Sequence, residues 1–359
     1  MNKIVVLGTG LVGKFVADKL SEEGFEVRAC DVNRTTFKNK VEFVQCDITS
    51  KTNFKMALKD IDVVVNALPG SIAYNILLQC IEAKKHVVDF SFMSEDVLSM
   101  SDFAKHYGVT VLTDFGFAPG ISHMFTARLV EELPNVEAIE IWVGGLPKDQ
   151  VDEYKAVFSP RDIIEEYIRP ARYIDNGEVK SEDPFAKSYF CHFDQRCFGF
   201  ISDGLRTLLD LNVKSLAEYT MRYKEHFWKM RYLKEDGFFD PEHLEHTAKV
   251  LTDKWKLKEN DKDFSILKVI GGDKNQVISY SFYDAYDTKN KIHSMARATG
   301  LPVVAGVKAL VNHKWESGIF PPEKVALNEV VFKEVWKYLK DNGIKLSKKI
   351  QHKIEGEAT

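Results

Sequence analysis

The sequence predicts an α/β protein: a doubly wound parallel sheet joined to an α+β domain with a mainly antiparallel sheet. Three observations carry this. Apolar runs without alternation, such as Asp62-Val63-Val64-Val65-Asn66 and His86-Val87-Val88-Asp89-Phe90, recur between helical stretches, as parallel strands covered on both faces do. The opening run Ile4-Val5-Val6-Leu7 ends in a GxGxxG turn, Gly8-Thr9-Gly10-Leu11-Val12-Gly13. Beyond Ala118-Pro119-Gly120 the β–α alternation stops, and period-two segments such as Val277-Ile278-Ser279-Tyr280-Ser281-Phe282 follow, the mark of antiparallel strands.

In chain order, strands are predicted over 4–8, 25–31, 41–46, 61–67, 86–90 and 109–113, with helices near 12–23, 52–59, 71–84 and 95–107. This alternation is that of a Rossmann-type doubly wound sheet. A helix near 121–132 leads to a strand at 137–145, and further strands are expected at 264–271, 276–287 and 291–299. A charged, aromatic helical region lies between 224 and 260, and a helix at about 301–314 returns to the first domain. The lysine-rich end, 345–353, reads as a solvated surface with a frayed tail. Residues 1–120 with 300–359 therefore form the dinucleotide-binding domain, and 121–299 the substrate-binding and dimerisation domain.

The 359 residues are 45% apolar and 28% charged, with a net charge of −4, which gives no general attraction to nucleic acid or anionic membrane. No apolar run approaches a membrane span. Lys3 precedes an apolar stretch, but glycines and Lys14 interrupt it, so no export signal is expected. The five cysteines are an odd number without CxxC spacing. They predict buried free thiols in a reducing cytoplasm, with no zinc site. Neither HExxH nor GxSxG occurs, so without metal or nucleophile the chemistry implied is hydride transfer carried by a cofactor.

The glycine turn is arranged to hold a dinucleotide pyrophosphate. Gly8 permits the turn, Gly10 admits the phosphates to backbone N–H groups, and Gly13 lets helix and strand pack. Leu11 and Val12 complete the loop, whose helix dipole favours the anion. Asp31 closes the second strand, where a carboxylate accepts from ribose hydroxyls and repels a 2′-phosphate. That favours NAD, while Arg34 nearby leaves NADP open. Asp47 or Ile48 would border the adenine, or Asp47 would cap a helix. Asn66, Ala67, Leu68 and Pro69 form a small turn with room for the nicotinamide ribose. Asp89 and Asp114 end the fifth and sixth strands; each would bind or deprotonate a substrate amine, or hold loops together. His123, at a predicted helix start, would be kept neutral by the dipole, or would pack a domain junction.

Several segments together resemble the saccharopine dehydrogenase family, most closely its L-lysine 6-dehydrogenase-like branch. They include the glycine motif, Val65-Asn66-Ala67-Leu68-Pro69, the run from Asp114 to Met124, and Val143-Gly144-Gly145-Leu146-Pro147. Tyr154 with Val157-Phe158-Ser159, Ala171-Arg172-Tyr173-Ile174-Asp175-Asn176-Gly177, Thr220-Met221-Arg222-Tyr223 with His226, and Gly318-Ile319-Phe320-Pro321-Pro322-Glu323 follow in the family's order. Glu225 stands where the family usually has glycine. The resemblance implies a Rossmann domain, a mixed-sheet domain that holds an amino-acid substrate, and NAD(P)-dependent oxidation of an amine-bearing carbon through an imine.

It also implies substrate roles. Arg222 would take the α-carboxylate in bidentate fashion, or form a structural ion pair. Ser202 and Gly204 would flank the substrate, with Asp203 replacing a small residue. Tyr154 and Ser159 would line the pocket. The implied substrate is lysine or a lysine-derived amine; saccharopine or carboxynorspermidine is the alternative within the family. A non-catalytic, nucleotide-sensing protein is the alternative outside it. A homodimer through the sheet domain is expected, since the aromatic stretch 219–240 suits an interface as well as a core.

Overall fold

The computed structural model buries the apolar runs 4–7 and 63–65. It describes residues 2–148, 154–157, 160–258 and 260–353. The strands are β1 (Lys3–Leu7), β2 (Glu26–Asp31), β3 (Val41–Gln45), β4 (Val63–Asn66), β5 (His86–Asp89) and β6 (Thr110–Leu112). With Gly318–Phe320 they make a parallel seven-stranded sheet, in which β3, β2, β1, β4, β5, β6 and Gly318–Phe320 lie side by side. The order reverses between β1 and β4, and such a switch point is where open α/β sheets bind ligands.

Helices Leu11–Glu22, Lys51–Ala57, Gly70–Glu82 and Ser101–Tyr107 connect these strands. Val5, Leu7, Val64 and Val87 pack with Phe54, Ile76, Leu77 and Ile81 in one buried core. The parallel fold predicted for the first domain is the one observed.

The chain divides into two units. The first runs to Met124 and resumes over Ala296–Asn342; the second takes Phe125–Met295 and the chain from Gly343. In the second, β7 (Ala138–Pro147), β8 (Ala171–Asp175), β9 (Glu178–Glu182), β10 (Ser188–Phe190), β11 (Cys197–Ile201), β12 (Ser215–Tyr223), β13 (Asp263–Gly272) and β14 (Gln276–Ala285) build a mixed sheet. Its order is β10, β11, β12, β7, β13, β14, then Lys345–His352; β8 also pairs with β12, and β9 with β8. Only the β12–β7 pair is parallel among the described residues. Helices Pro160–Ile168, Lys224–Glu235 and Pro241–Trp255 bring Ile163, Tyr167, Phe227 and Leu251 into a core with Phe185, Phe198 and Phe200.

Two expectations are corrected. Residues 291–299 are not a strand: a helix begins at Ser294 and runs to Asn312 through Pro302. The buried Asp263 carboxylate accepts the N–H groups of Ser294 (2.8 Å) and Met295 (2.9 Å), capping orphan donors of that first turn. The lysine-rich end is not a loose surface of the first domain. Lys345–His352 pairs antiparallel with β14 and so belongs to the second unit. Its lysines suit the sheet's outer edge, where charge discourages pairing with other chains.

The aromatic stretch 219–240 is divided. Tyr223 and Phe227 are buried, whereas Tyr232 and Phe238 are exposed. All five cysteines are free and buried. Among the described residues, no helix is long and apolar enough to cross a membrane.

Candidate cofactor and substrate sites

At the switch point, Gly8 follows β1 with φ +94° and donates to the Cys30 carbonyl at 2.8 Å. A methyl at Gly13 would overlap the Gly8 carbonyl oxygen, and one at Gly8 would press on Ala67. Helix and turn are therefore packed as closely as backbone permits. Gly10 differs: a Cβ there would meet nothing within 4 Å. It is also the N-cap of Leu11–Glu22, which no side chain caps. Open space before unpaired N–H groups at a helix N-terminus is what a pyrophosphate requires, and the loop fits a dinucleotide.

Asp31 ends β2, half-buried. One carboxylate oxygen accepts from Thr9 N–H (2.6 Å) and the other from Asn33 N–H (2.8 Å). The acid therefore ties the phosphate loop to the β2–β3 connection. A carboxylate accepts at about four lone-pair positions, so capacity remains for ribose hydroxyls. Arg34 is exposed.

Asp47 is exposed and accepts from Thr49 N–H (2.9 Å) and Oγ1 (2.7 Å), which hold its pKa below the ordinary value. That is a local turn before Lys51–Ala57, whose N-cap is Ser50, so Asp47 does not cap that helix. Ile48 points into the core beside Phe54. Asn66 is buried; its amide donates to the Ala73 carbonyl (3.2 Å), and its Oδ1 has no partner among the described residues. Ala67 donates to the Leu7 carbonyl (2.9 Å), Leu68 is half-buried, and Pro69 is the exposed N-cap of Gly70–Glu82.

Asp89 and Asp114 lie near each other, since Phe115 N–H donates to the Asp89 carbonyl (2.8 Å). Asp89 is paired in register with Asn66 and accepts from Ser91 N–H (3.1 Å). Asp114 has φ +54°, a conformation a non-glycine residue seldom holds without a reason. His123 shares a 3.0 Å hydrogen bond with the Ser122 hydroxyl. All three side chains are at most 1% exposed.

The second unit holds another polar cluster. Arg222 on β12 is 1% exposed, and every guanidinium nitrogen is engaged. Nε donates to the Tyr167 hydroxyl (3.1 Å), Nη1 to the Met221 carbonyl (2.9 Å), and Nη2 to Glu166. Burial opposes its charge, but the Tyr154, Tyr167 and Glu166 oxygens more than offset this, so it stays protonated. Tyr167 continues the chain to His226 Nε2 at 2.8 Å. Burial, then the positive charges of Arg222 and Lys229, hold the His226 pKa well below its ordinary value. Tyr154 stacks on His226 at 4.0 Å. Its hydroxyl is buried without a partner among the described residues, and burial pushes its pKa up to about 12. Arg222 thus takes the structural ion-pair arrangement.

Ser202 donates its hydroxyl to Glu218 Oε1 (3.0 Å), and a methyl at Gly204 would overlap that same carboxyl. Asp203 accepts from the Arg172 guanidinium at 2.7 and 3.0 Å and from its backbone N–H at 3.2 Å. Ser159 lies outside the described residues. Glu218, Glu166 and Tyr167 were not singled out from the sequence. The only signal was polar residues at alternate positions, Glu218, Thr220 and Arg222, in an otherwise apolar run.

Residues 4–112 match the saccharopine dehydrogenase NADP binding domain, and residues 116–344 the saccharopine dehydrogenase C-terminal domain. The chain belongs to the saccharopine dehydrogenase family. Its cofactor is accordingly a nicotinamide dinucleotide, NAD or NADP, which the glycine loop and Asp31 fit. Alpha-aminoadipic semialdehyde synthase of Arabidopsis thaliana is 27% identical over 222 residues, 56% of this chain and 21% of that protein. Saccharopine dehydrogenase [NADP(+), L-glutamate-forming] of Saccharomyces cerevisiae is 24% identical over 209 residues, 53% of this chain and 47% of that one. The matched stretch thus spans less than half the length of these relatives. The apo saccharopine dehydrogenase (L-Glu forming) structure from Saccharomyces cerevisiae shares the fold, with a TM-score of 0.78, 17% identity, and coverage of 98% of this chain and 100% of that one.

Proposed function

We propose that the protein is an NAD(P)-dependent oxidoreductase acting on the amine-bearing carbon of lysine or a lysine-derived amino acid. The observation that carries the reading is the open, uncapped helix N-terminus at Gly10, beside Asp31 at the switch point of a family Rossmann sheet. A hydride leaves the substrate carbon with two electrons, the nitrogen gives up a proton as the carbon–nitrogen bond becomes an imine, and water converts that imine to a carbonyl, with release of ammonia where lysine is the substrate. The dinucleotide supplies the hydride acceptor. The chain's own groups bind, orient and shield. The glycine loop holds the diphosphate, and Asp31 the adenosine ribose.

Before hydride leaves, the substrate amine must be neutral, which calls for a group able to take its proton. Asp89, Asp114 and His123 are the candidates, and their burial keeps water from competing. Asp114 comes first among them because its φ of +54° is held despite strain. Asp31 favours NAD over NADP by charge. The domain roles follow the same reading: nucleotide binding in the first unit, substrate binding and self-association in the second.

A second reading, saccharopine dehydrogenase activity, draws on the yeast relative's printed name. One assay separates them. The protein is incubated with NAD or NADP and lysine, saccharopine, ornithine or carboxynorspermidine, and reduced nicotinamide is followed. Reduction with lysine is expected; activity on saccharopine alone would replace the lysine reading. An inert protein would point to nucleotide sensing.

A further inference from the structure

Glu218 has no part in the reading above, yet its surroundings are unusual. It lies on β12, on the same face of the strand as Thr220 and Arg222, and is 5% exposed. Oε1 accepts the Ser202 hydroxyl at 3.0 Å, whereas Oε2 has no hydrogen-bond partner among the described residues. Gly204 presses its bare Cα against this carboxyl, and any side chain there would overlap it. Ser202 N–H also donates to the Glu218 carbonyl at 3.0 Å. Loop and acid are thus fixed to each other.

Among the described residues, no ion pair is made to this acid. Arg222 is paired with Glu166, and Arg172 with Asp203. The charged groups that act on Glu218 are Glu166, from Pro160–Ile168, and Asp203, from the loop, both of its own sign. Burial first, then these two acids, push its pKa up to about 8, against the Ser202 hydrogen bond. A buried carboxyl oxygen without a partner is unfavourable unless something else supplies a donor. A compact ammonium group, with three donors and a full charge, answers both needs.

We propose that Glu218 receives the α-ammonium group of the amino-acid substrate, the amine that the reaction leaves intact, and so sets specificity for amino acids over simple amines. This rests on the amino-acid substrate of the proposed function. Ser202 positions the carboxyl and Gly204 leaves room for it, which gives both residues a role through Glu218.

The test is calorimetric titration of the protein, saturated with reduced dinucleotide, with L-lysine and with 6-aminohexanoate, which lacks only the α-ammonium. Wild type is expected to bind L-lysine at least tenfold more tightly, and Glu218→Gln to bring the two within twofold. Near neutral pH, the wild-type carboxyl should also release close to one proton per lysine bound, read from titrations in buffers of different ionisation enthalpy. This second readout needs no variant, and a purely structural glutamate would not produce it. A preference for L-lysine that survives in Glu218→Gln, or its absence in wild type, would overturn the assignment. Failure of wild type to bind any of lysine, saccharopine, ornithine and carboxynorspermidine would instead overturn the proposed function, and this inference with it.

Discussion

Replacing Arg222 by methionine separates two roles for this arginine. In the structure it is an internal strut: its guanidinium joins Glu166, Tyr167 and the Met221 carbonyl at 1% exposure. Removing it leaves the Glu166 carboxylate without its cation and the Tyr167 hydroxyl without a donor. Breaking a buried ion pair in this way costs about 3–5 kcal/mol. The Glu166 side chain keeps 23% exposure, so water relieves part of the loss and the lower end applies. For a unit of this size, about 3 kcal/mol lowers the unfolding midpoint by roughly 6–12 °C. Differential scanning calorimetry of Arg222→Met, Glu166→Met and the double variant measures it. The double variant should recover much of the loss, because no lone charge remains buried. If Arg222→Met melted within a degree or two of wild type and lost only substrate affinity, the strut argument would be wrong and the arginine would be a substrate anchor.

Further expectations concern the nucleotide loop and Glu218. Gly13→Ala pushes a methyl into the Gly8 carbonyl oxygen; it should cost about 1–3 kcal/mol of stability and weaken both dinucleotides, as read by melting and titration. Asp31→Ala removes a charged acceptor worth about 1.5–3 kcal/mol, so NAD affinity should fall roughly tenfold or more and NADP affinity less; equal losses would count against the ribose role. Glu218 titrates near 8 when folded and near the ordinary 4.5 when unfolded, so the folded state binds the extra proton between those values. Wild-type stability, relative to Glu218→Gln, should therefore be greatest below about pH 4.5 and decline until about pH 8, by an upper bound on the order of 5 kcal/mol. Denaturation of both proteins across that range checks the sign, and parallel curves would refute the buried neutral acid.

The first unit was readable because its signals are local. The GxGxxG turn, the valine runs and Asp31 each announce their element within a few residues, and the observed strands follow them closely. The second unit was harder to read. Strand β12 carries Glu218, Thr220 and Arg222 on a buried face, so its pattern looks half solvated when it is not. The partners that settle those charges are remote: Glu166 stands 56 residues from Arg222. The helix at Ser294 owes its start to Asp263, 31 residues earlier, which composition at 291–299 does not reveal. Lys345–His352 looked like a loose surface because its strand-forming partner, β14, lies more than sixty residues upstream. In each case the decisive interaction is non-local, and sequence periodicity reports only local order.

The proposed oxidoreductase activity requires nicotinamide dinucleotide uptake by the first unit, and direct titration of the purified protein with NADH and NADPH tests it. One nucleotide per chain should bind, with affinity lost in Gly13→Ala while the parallel sheet stays folded. A wild-type protein that takes up neither nucleotide, reduced or oxidised, would contradict the account at its base.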